Sequence, residues 1–317
     1  MPGVRNGGAM GDDTGGRTAA PAAPRADRPR GLAVLRRSGW RPPPVGGSRR
    51  GAAAGTAVLL ALAAAAVLAP WLAGHDPLAT DTGAVGLPPG SPGHPLGTDA
   101  LGRDLLARLL HGARVSLAIG FAAGALTVAG GTALGALAAV GPRWFDAAVT
   151  RTADALLALP MVLVALALAA VAGPSPGTVV AAIALTAWMP VALVARAEVS
   201  ALRGRPFVRA ATSLGLSRTR VLLRHLVPNA LPPIAAIAAF EVGHAILTES
   251  TLSFLGVGVP PNRPSWGNLL TDARAHLLTG QWYAVALPAA AIVATILAMN
   301  LVATGLDRRG AAEGRTW

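Results

Sequence analysis

The chain has 317 residues, of which 53% are hydrophobic and 13% charged, and its formal net charge is +12. A soluble protein usually carries about 25% charged residues, and long stretches of this chain carry none. Cysteine and lysine are both absent, which excludes disulfides, thiolate metal sites and a Walker-A loop, since that loop needs a lysine. The composition therefore indicates a polytopic membrane protein that does not bind ATP through a P-loop.

The first 50 residues are rich in Gly, Pro, Ala and Arg and have no sustained apolar period. This pattern predicts a disordered, basic cytoplasmic tail. A cleaved targeting peptide is the alternative, but a secretory n-region is much shorter than this stretch. Residues 307–317 are predicted to form a second cytoplasmic tail at the other terminus.

Six apolar segments follow the tail, each near the ~20 residues that cross a bilayer as a helix. The third and fourth are separated only by residues 173–177, which predicts a helical hairpin. The second contains two small-xxx-small pairs, Gly120/Gly124 and Gly131/Gly135, which permit close helix approach. The approximate limits of the segments are 52–73, 115–140, 155–172, 178–195, 230–248 and 284–305.

Arginine sets the expected orientation. If the N-terminus is cytoplasmic and six helices alternate, 22 of the 27 arginines lie on the inner side and 5 on the outer side. The positive-inside rule then favours a topology with both termini inside. The basicity is accounted for by topology, so no nucleic-acid partner is expected.

Between the first and second apolar segments, the sequence predicts a short amphipathic helix at about 100–111, resting on the outer membrane surface. Thr98 or Asp99 is the expected N-cap, and Arg103 and Asp104 are expected to face water or each other. The apolar face would consist of four leucines, Leu101, Leu105, Leu109 and Leu110.

The longest cytoplasmic connection, about 196–229, predicts two short helices. One covers about 207–214 and is ended by Gly215; the other covers about 217–226 and is ended by Pro228. One side of this element carries arginines. The opposite side is apolar and is formed by Phe207, Leu214, Leu216, Val221 and Leu222. This amphipathic pattern favours a docking element, and the alternative is a basic interfacial loop that only fixes topology.

Two polar residues, Glu241 and His244, lie three positions apart in the fifth apolar segment, so they share a helix face. A charge near the middle of a bilayer is expensive and usually functional. One interpretation is that they line a translocation path; the other is that they satisfy each other or another helix inside the bundle. Pro232 and Pro233 are expected in the first turn of this helix, where proline is tolerated.

No catalytic or metal-binding constellation is expected. The six histidines are scattered along the chain without metal-ligand spacing, and Ser116 and Ser253 lack an adjacent base. Three charged residues lie near the second cytoplasmic turn, namely Asp146, Arg151 and Asp154. A surface ion pair is the simplest expectation for them, and contact with a partner is the alternative.

The connection at 196–229 resembles the loop that permeases of binding-protein-dependent ABC importers insert into their ATPases. That family has Glu-Ala-Ala, a Gly four residues after the second Ala, and a downstream His-x-x-Pro-Asn. The leading Glu is replaced here by Arg209, which reverses its charge and removes any salt bridge that it would form. The matching residues are Ala210, Ala211, Gly215, His225, Pro228 and Asn229.

Two further stretches, 94–120 and 249–270, resemble the dipeptide, oligopeptide and nickel permeases of this family. The resemblance implies an all-α, MetI-like permease bundle of six transmembrane helices in a bacterial inner membrane. It implies a first helix with an external segment over 51–113 and a five-helix core over 114–306.

The implied partners are a sister permease, two ATPase subunits that bind ATP and Mg²⁺, and an extracytoplasmic solute-binding protein. This chain would hold no cofactor and be no enzyme. A secondary transporter is the main alternative, although no internal symmetry is visible, and a membrane-embedded enzyme is a third class. Peptides are the first expectation for the cargo, followed by nickel and other small solutes.

Overall fold

The computed structural model describes the backbone of residues 49–277 and 280–313 and the side chains of residues 50–274 and 280–306. Within these ranges the protein is helical, with two isolated β-bridges and no strand. Nearly all of the N-terminal tail expected at 1–50, and residues 314–317 of the C-terminal tail, lie outside the described residues. The last helix continues through Glu313, seven residues into the stretch expected to be tail.

The helices are named here in chain order, with a π-helical turn, Leu222–Leu226, between α8 and α9. They are α1 (Arg49–Val67), α2 (Ala69–Leu72), α3 (Leu105–Val140), α4 (Arg143–Leu157), α5 (Met161–Ala172), α6 (Pro176–Arg203), α7 (Pro206–Ser213), α8 (Arg218–Val221), α9 (Val227–Phe254), α10 (Trp266–Leu277) and α11 (Tyr283–Glu313).

Five helical stretches in the described ranges are long and apolar enough to cross a membrane. They are α1, α3, α6, the continuous stretch Arg218–Phe254, and α11 up to Leu306. The expected third span, 155–172, is not one straight helix, because α4 and α5 meet at a bend of 93°. Pro160 lies at this bend, where it lacks an N–H and biases Leu159 away from helical geometry. The bent pair would make a sixth span. The expected hairpin of α5 and α6 is confirmed.

The first small-residue pair, Gly120 and Gly124, brings α3 against α9. A Cβ built at Gly124 would lie 2.7 Å from Cγ2 of Val242, and one at Gly120 would overlap the side chain of Ile246. The later glycine of α3 meets the earlier residue of α9, so the two helices are antiparallel.

The second pair, Gly131 and Gly135, brings α3 against α6. A Cβ at Gly131 would lie 2.7 Å from the carbonyl oxygen of Trp188, and one at Gly135 would overlap the backbone of Ala192. Here the later glycine of α3 meets the later residue of α6, so these two helices are parallel. The predicted close approach is confirmed for both pairs, each against a different helix.

Residues 73–104, 255–277 and 280–282 are called the cap, because they meet at the end of the bundle where α3 begins and α9 ends. Tyr283 donates a hydrogen bond of 3.1 Å to the carbonyl oxygen of Leu87, and Trp266 N–H donates one of 3.1 Å to Oγ of Ser116. The opposite end, which carries the stretch 196–229, is called the arginine-rich end.

The separate helix expected at 100–111 is wrong, because α3 begins at Leu105 and continues unbroken to Val140. Asp104 is its N-cap and accepts a hydrogen bond of 2.7 Å from Ala107 N–H. Thr98 accepts a bond of 2.9 Å from Leu87 N–H instead of capping. The expected apolar face therefore loses Leu101, which lies outside the helix and is 52% exposed.

At the arginine-rich end, two arginines join neighbouring helices. Arg196 forms a bidentate ion pair with Asp146, one bond of which measures 2.8 Å. Arg203 donates to the carbonyl oxygen of Ala139 in the last turn of α3. The expected ion pair of Asp146 thus forms with Arg196 on α6, while Arg151 is exposed to solvent.

Candidate functional site

One face of the short helix α7 anchors the loop after α6 to the bundle. Val208 and Ala211 are buried and belong to an apolar cluster that also contains Val199 on α6 and Val221 on α8. Ala136 and Ala139 of α3 belong to the same cluster. The loop is therefore packed against two helices of the bundle, α3 and α6, and held in position by them.

The other face of this loop is exposed and apolar at its centre. Leu214 is 81% exposed and Phe207 is 42% exposed. The same loop carries four exposed arginines, namely Arg205, Arg209, Arg218 and Arg220. The apolar face expected from the sequence therefore divides in two: Val221 and Leu222 point into the core, and Phe207 and Leu214 point out. An exposed apolar centre with a charged rim is the composition of a protein-binding surface.

Gly215 ends α7 as expected. Its φ is +80°, a left-handed conformation that glycine adopts at little cost. Gly215 N–H donates to the carbonyl oxygen of Thr212 at 3.0 Å, and Leu216 N–H donates to that of Ala211 at 3.3 Å. Nothing lies within 4 Å of a Cβ built at Gly215. The glycine is required by the backbone and not by a lack of space.

The second helix of the loop does not end at Pro228 as expected. The chain is helical from Arg218 to Phe254, with the π turn Leu222–Leu226 in between. Pro228 lies in the first turn of α9 after this π turn, where the missing N–H is tolerated. Pro232 and Pro233 consequently lie inside the helix and not in its first turn.

The remaining residues of the family pattern lie on or beside this loop. Ala210 is exposed next to buried Ala211. His225 is half-buried, and its carbonyl oxygen accepts a hydrogen bond of 2.6 Å from the side-chain amide of Asn229. Arg209 is exposed and has no ion-pair partner among the side chains the structure describes. The structure thus gathers the pattern at one end of the bundle.

An open groove of about 630 Å³ lies between α3 and the stretch 222–242. Its lining is apolar and includes Phe121 and Leu137 of α3, together with Leu223, Leu231 and Val242. The same helical stretch that begins at the exposed loop therefore forms one wall of this groove.

Glu241 and His244 share a face of α9 but do not form a hydrogen bond. Nδ1 of His244 lies 3.9 Å from Oε2 of Glu241, beyond hydrogen-bond range. Glu241 is buried, and its Oε2 has no hydrogen-bond partner among the described residues. The side chain of His244 is 54% exposed. Whether the pair lines a path stays a prediction.

The sequence did not predict a role for Glu249, a fully buried carboxylate near the cap. Ser116 and Ser253 each donate a hydrogen bond of 2.9 Å to it, and Ser250 donates one of 3.3 Å. The expectation that Ser116 and Ser253 lack an adjacent base is therefore wrong, because both contact the Glu249 carboxylate. The i, i+4 spacing of Glu249 and Ser253 is visible in the sequence, but Ser116 is 133 positions away.

The sequence also did not predict an ion-pair cluster in the cap. Arg108 is 1% exposed and pairs with Asp99 and, at 2.7 Å, with Asp272. Arg103 bonds the same two carboxylates at 2.7 and 2.8 Å, so it faces neither water nor Asp104 as expected. Burial alone would raise the pKa of Asp99, but the Arg103 N–H and the Arg108 charge outweigh it and lower that pKa.

Two of the six histidines are not scattered in space. The ring centroids of His75 and His94 lie 5.0 Å apart, with the rings 28° from parallel. Nδ1 of His94 lies 2.8 Å from Oδ2 of Asp104. Sequence spacing gave no sign of this cluster, because its members come from three separate turns of the cap.

Two stretches of the chain match known protein families. Residues 131–310 match the family described as the binding-protein-dependent transport system inner membrane component. Residues 48–89 match the N-terminal transmembrane domain of oligopeptide transport permease C. The first match includes the exposed loop, the π turn and Glu249; the second covers α1, α2 and the start of the cap.

Similar proteins are found in several bacteria. A putative peptide transport system permease protein of Brucella suis is 41% identical over 79% of this chain and 85% of its own length. A putative peptide permease protein from the same strain is 39% identical over 67% of this chain and 71% of its own length. The di/tripeptide transport system permease protein DppC of Pseudomonas aeruginosa is 37% identical over 76% of this chain and 81% of its own length.

Proposed function

The chain belongs to the family of binding-protein-dependent transport system inner membrane components, and we propose that it is a permease subunit of an ATP-driven peptide importer. It is a multi-pass inner-membrane protein and a transport subunit, not an enzyme. Relatives at 41% and 37% identity are named as peptide permeases, which supports peptides over nickel as the cargo.

The proposed topology has both termini in the cytoplasm. The arginine count supports this orientation. The registers of the helix contacts, with α3 parallel to α6 and antiparallel to α9, fit six alternating spans. In this orientation the arginine-rich end faces the cytoplasm and the cap faces the outside, where an extracytoplasmic binding protein delivers its peptide.

The single observation that carries the proposal is the exposed face of the loop, with Leu214 at 81% and Phe207 at 42% exposed on a helix whose other face is buried. An apolar centre that is held rigidly above the bundle is suited to insertion into a soluble partner. We assign this surface to an ATPase subunit. ATP and Mg²⁺ then bind to two such ATPases and not to this chain.

The continuous stretch Arg218–Phe254 suggests how the ATPase acts on the path. It begins beside the exposed loop, and Leu223, Leu231 and Val242 along it line the groove against α3. A push on the loop therefore moves one wall of the groove. A sister permease facing this groove would close it into a shared path, and the coupling is mechanical.

A unique thiol tests the docking surface, because the chain has no cysteine. Leu214→Cys is labelled with a thiol-specific photocrosslinker in cells that express the complete transport system. We expect an adduct with an ATPase subunit, identified by mass spectrometry. The control, Leu101→Cys, is 52% exposed in the cap and should give no such adduct. An ATPase adduct from Leu101→Cys, or none from Leu214→Cys, would overturn the assignment.

A further inference from the structure

We propose that His75, His94 and Asp104 in the cap form a binding site for one divalent ion of the late first-row transition metals, such as Zn²⁺ or Ni²⁺. Each residue offers one ligand atom, and the three atoms lie within 4.8 Å of one another. Imidazole nitrogens together with one carboxylate are the ligands that these ions prefer, whereas Mg²⁺ and Ca²⁺ prefer oxygen alone.

Two of the three donors already have the spacing of neighbouring ligands on one ion. Nδ1 of His94 lies 2.8 Å from Oδ2 of Asp104. Metal–ligand bonds of about 2.0–2.2 Å place adjacent ligand atoms about 3 Å apart. A metal ion can therefore take the place of the proton between these two atoms with little movement of either residue.

The backbone of the cap holds these two donors in position. Asp104 is fixed as the N-cap of α3, with its Oδ1 accepting a bond of 2.7 Å from Ala107 N–H. Gly97 N–H donates to the carbonyl oxygen of His94 at 2.9 Å, and Leu105 N–H donates to that of Gly97 at 3.0 Å. A carboxylate oriented by a second hydrogen bond is a usual feature of metal sites.

His75 completes the set as the adjustable ligand. It follows Gly74, whose φ is +68°, and it is exposed and makes no hydrogen bond among the described residues. Its ring is stacked on that of His94, with centroids 5.0 Å apart. A rotation of this side chain brings a ring nitrogen to the ion. Binding would then tie the turn after α2 to the start of α3.

The test is metal binding by the full-length chain, purified in detergent with a tag that contains no histidine and freed of metal with a chelator. Titration calorimetry with Zn²⁺, and separately with Ni²⁺, should show one saturable site per chain. His75→Gln removes an exposed ligand and so leaves the fold intact, and it should weaken binding about tenfold or more. His94→Gln should do the same.

The matched control is His111→Gln, since Nδ1 of His111 is bonded to the carbonyl oxygen of Ala107 outside the site. It should bind like the unaltered chain, and Mg²⁺ should bind to none of them. The proposal is overturned if the unaltered chain has no saturable site, or if His75→Gln binds as tightly as the unaltered chain. Either result leaves the proposed coupling to the ATPase untouched, because the docking loop and the groove lie outside the cap.

Discussion

Ser116 on α3 donates a hydrogen bond of 2.9 Å to Oε2 of Glu249 on α9. Both side chains are fully buried, and Oγ of Ser116 also accepts a bond of 3.1 Å from Trp266 N–H at the start of α10. This pair therefore joins three helices at the base of the cap, and removing either polar group leaves a buried partner unsatisfied.

Ser116→Ala should destabilise the protein, because the Glu249 carboxylate loses one donor and Trp266 N–H loses its acceptor. A buried group left unsatisfied costs about 1–3 kcal/mol. Thermal unfolding of the purified chain in detergent measures the change. Ser200→Ala, at an exposed position of α6, is the control and should unfold like the unaltered chain. Equal melting temperatures for the two variants would contradict the role of the network.

Gly131→Ala and Gly130→Ala should have opposite effects. A Cβ at position 131 meets the backbone of Trp188 at 2.7 Å, so α3 and α6 must move apart, at a cost of about 1–3 kcal/mol. A Cβ at position 130 meets nothing within 4 Å, and replacing a helical glycine by alanine stabilises by about 0.5–1 kcal/mol. Melting temperatures of the two variants in the same detergent provide the comparison, and a Gly131→Ala variant at least as stable as Gly130→Ala would refute this packing.

Gly215→Val should abolish peptide uptake while the subunit stays in the membrane. The left-handed conformation at this position costs a β-branched residue about 1–2 kcal/mol or more, so the exposed face of α7 shifts. The assay is uptake of a labelled peptide beside the amount of subunit in isolated membranes.

The controls for this variant separate the backbone requirement from the mere loss of a glycine. Gly215→Asn should keep part of the uptake, because asparagine tolerates the left-handed region. Gly204→Ala should be silent, since the φ of Gly204 is −78° and the nearest atom to its Cβ is 3.9 Å away. Normal uptake by Gly215→Val would remove the argument for a rigid docking loop.

The ion-pair cluster in the cap should resist moderate acid. The pKa of Asp99 is lowered in the folded state, so its stabilising contribution is complete above the unfolded value of about 4. It is lost only as the pH falls further, through the folded pKa. The melting temperature should therefore show no pH dependence due to Asp99 between pH 7 and pH 5, where its full stabilising contribution is present.

Asp99→Asn should lower the stability at every pH in this range, by about 3 kcal/mol, since it leaves the buried Arg108 guanidinium with one carboxylate fewer. Asp76→Asn is the matched control, because Asp76 is exposed and accepts a single bond of 2.8 Å from Leu78 N–H. If both variants unfold at the same temperature, the cluster does not stabilise the cap.

Local patterns predicted several features of this protein. The two glycine pairs predicted close packing, and Gly215 predicted the end of α7, because each depends on the residue itself and its immediate backbone. The family pattern in the loop identified the exposed surface, although it did not show which apolar residues point inward: Val221 and Leu222 are covered by α6 and α3, and no pattern within the loop specifies that contact.

Other features depend on residues far apart in the sequence. Arg108 continues an apolar helix only because Asp99 and Asp272 neutralise it, so the start of α3 could not be placed from the local pattern. The hydrogen bonds of Glu249 could not be predicted without knowing that Ser116 lies beside it. The helix continues through Pro228 because the π turn precedes it. A sequence rule that ends helices at proline therefore placed this boundary wrongly.

The central claim is that this chain transports solute only when a separate ATPase drives it through the loop around Gly215. The direct measurement is uptake of a labelled peptide by proteoliposomes that contain the chain, its sister permease and the binding protein, with and without the ATPase subunits. We expect uptake only with the ATPases and ATP, and none with Gly215→Val. Uptake of equal rate in vesicles that lack the ATPases would contradict the claim.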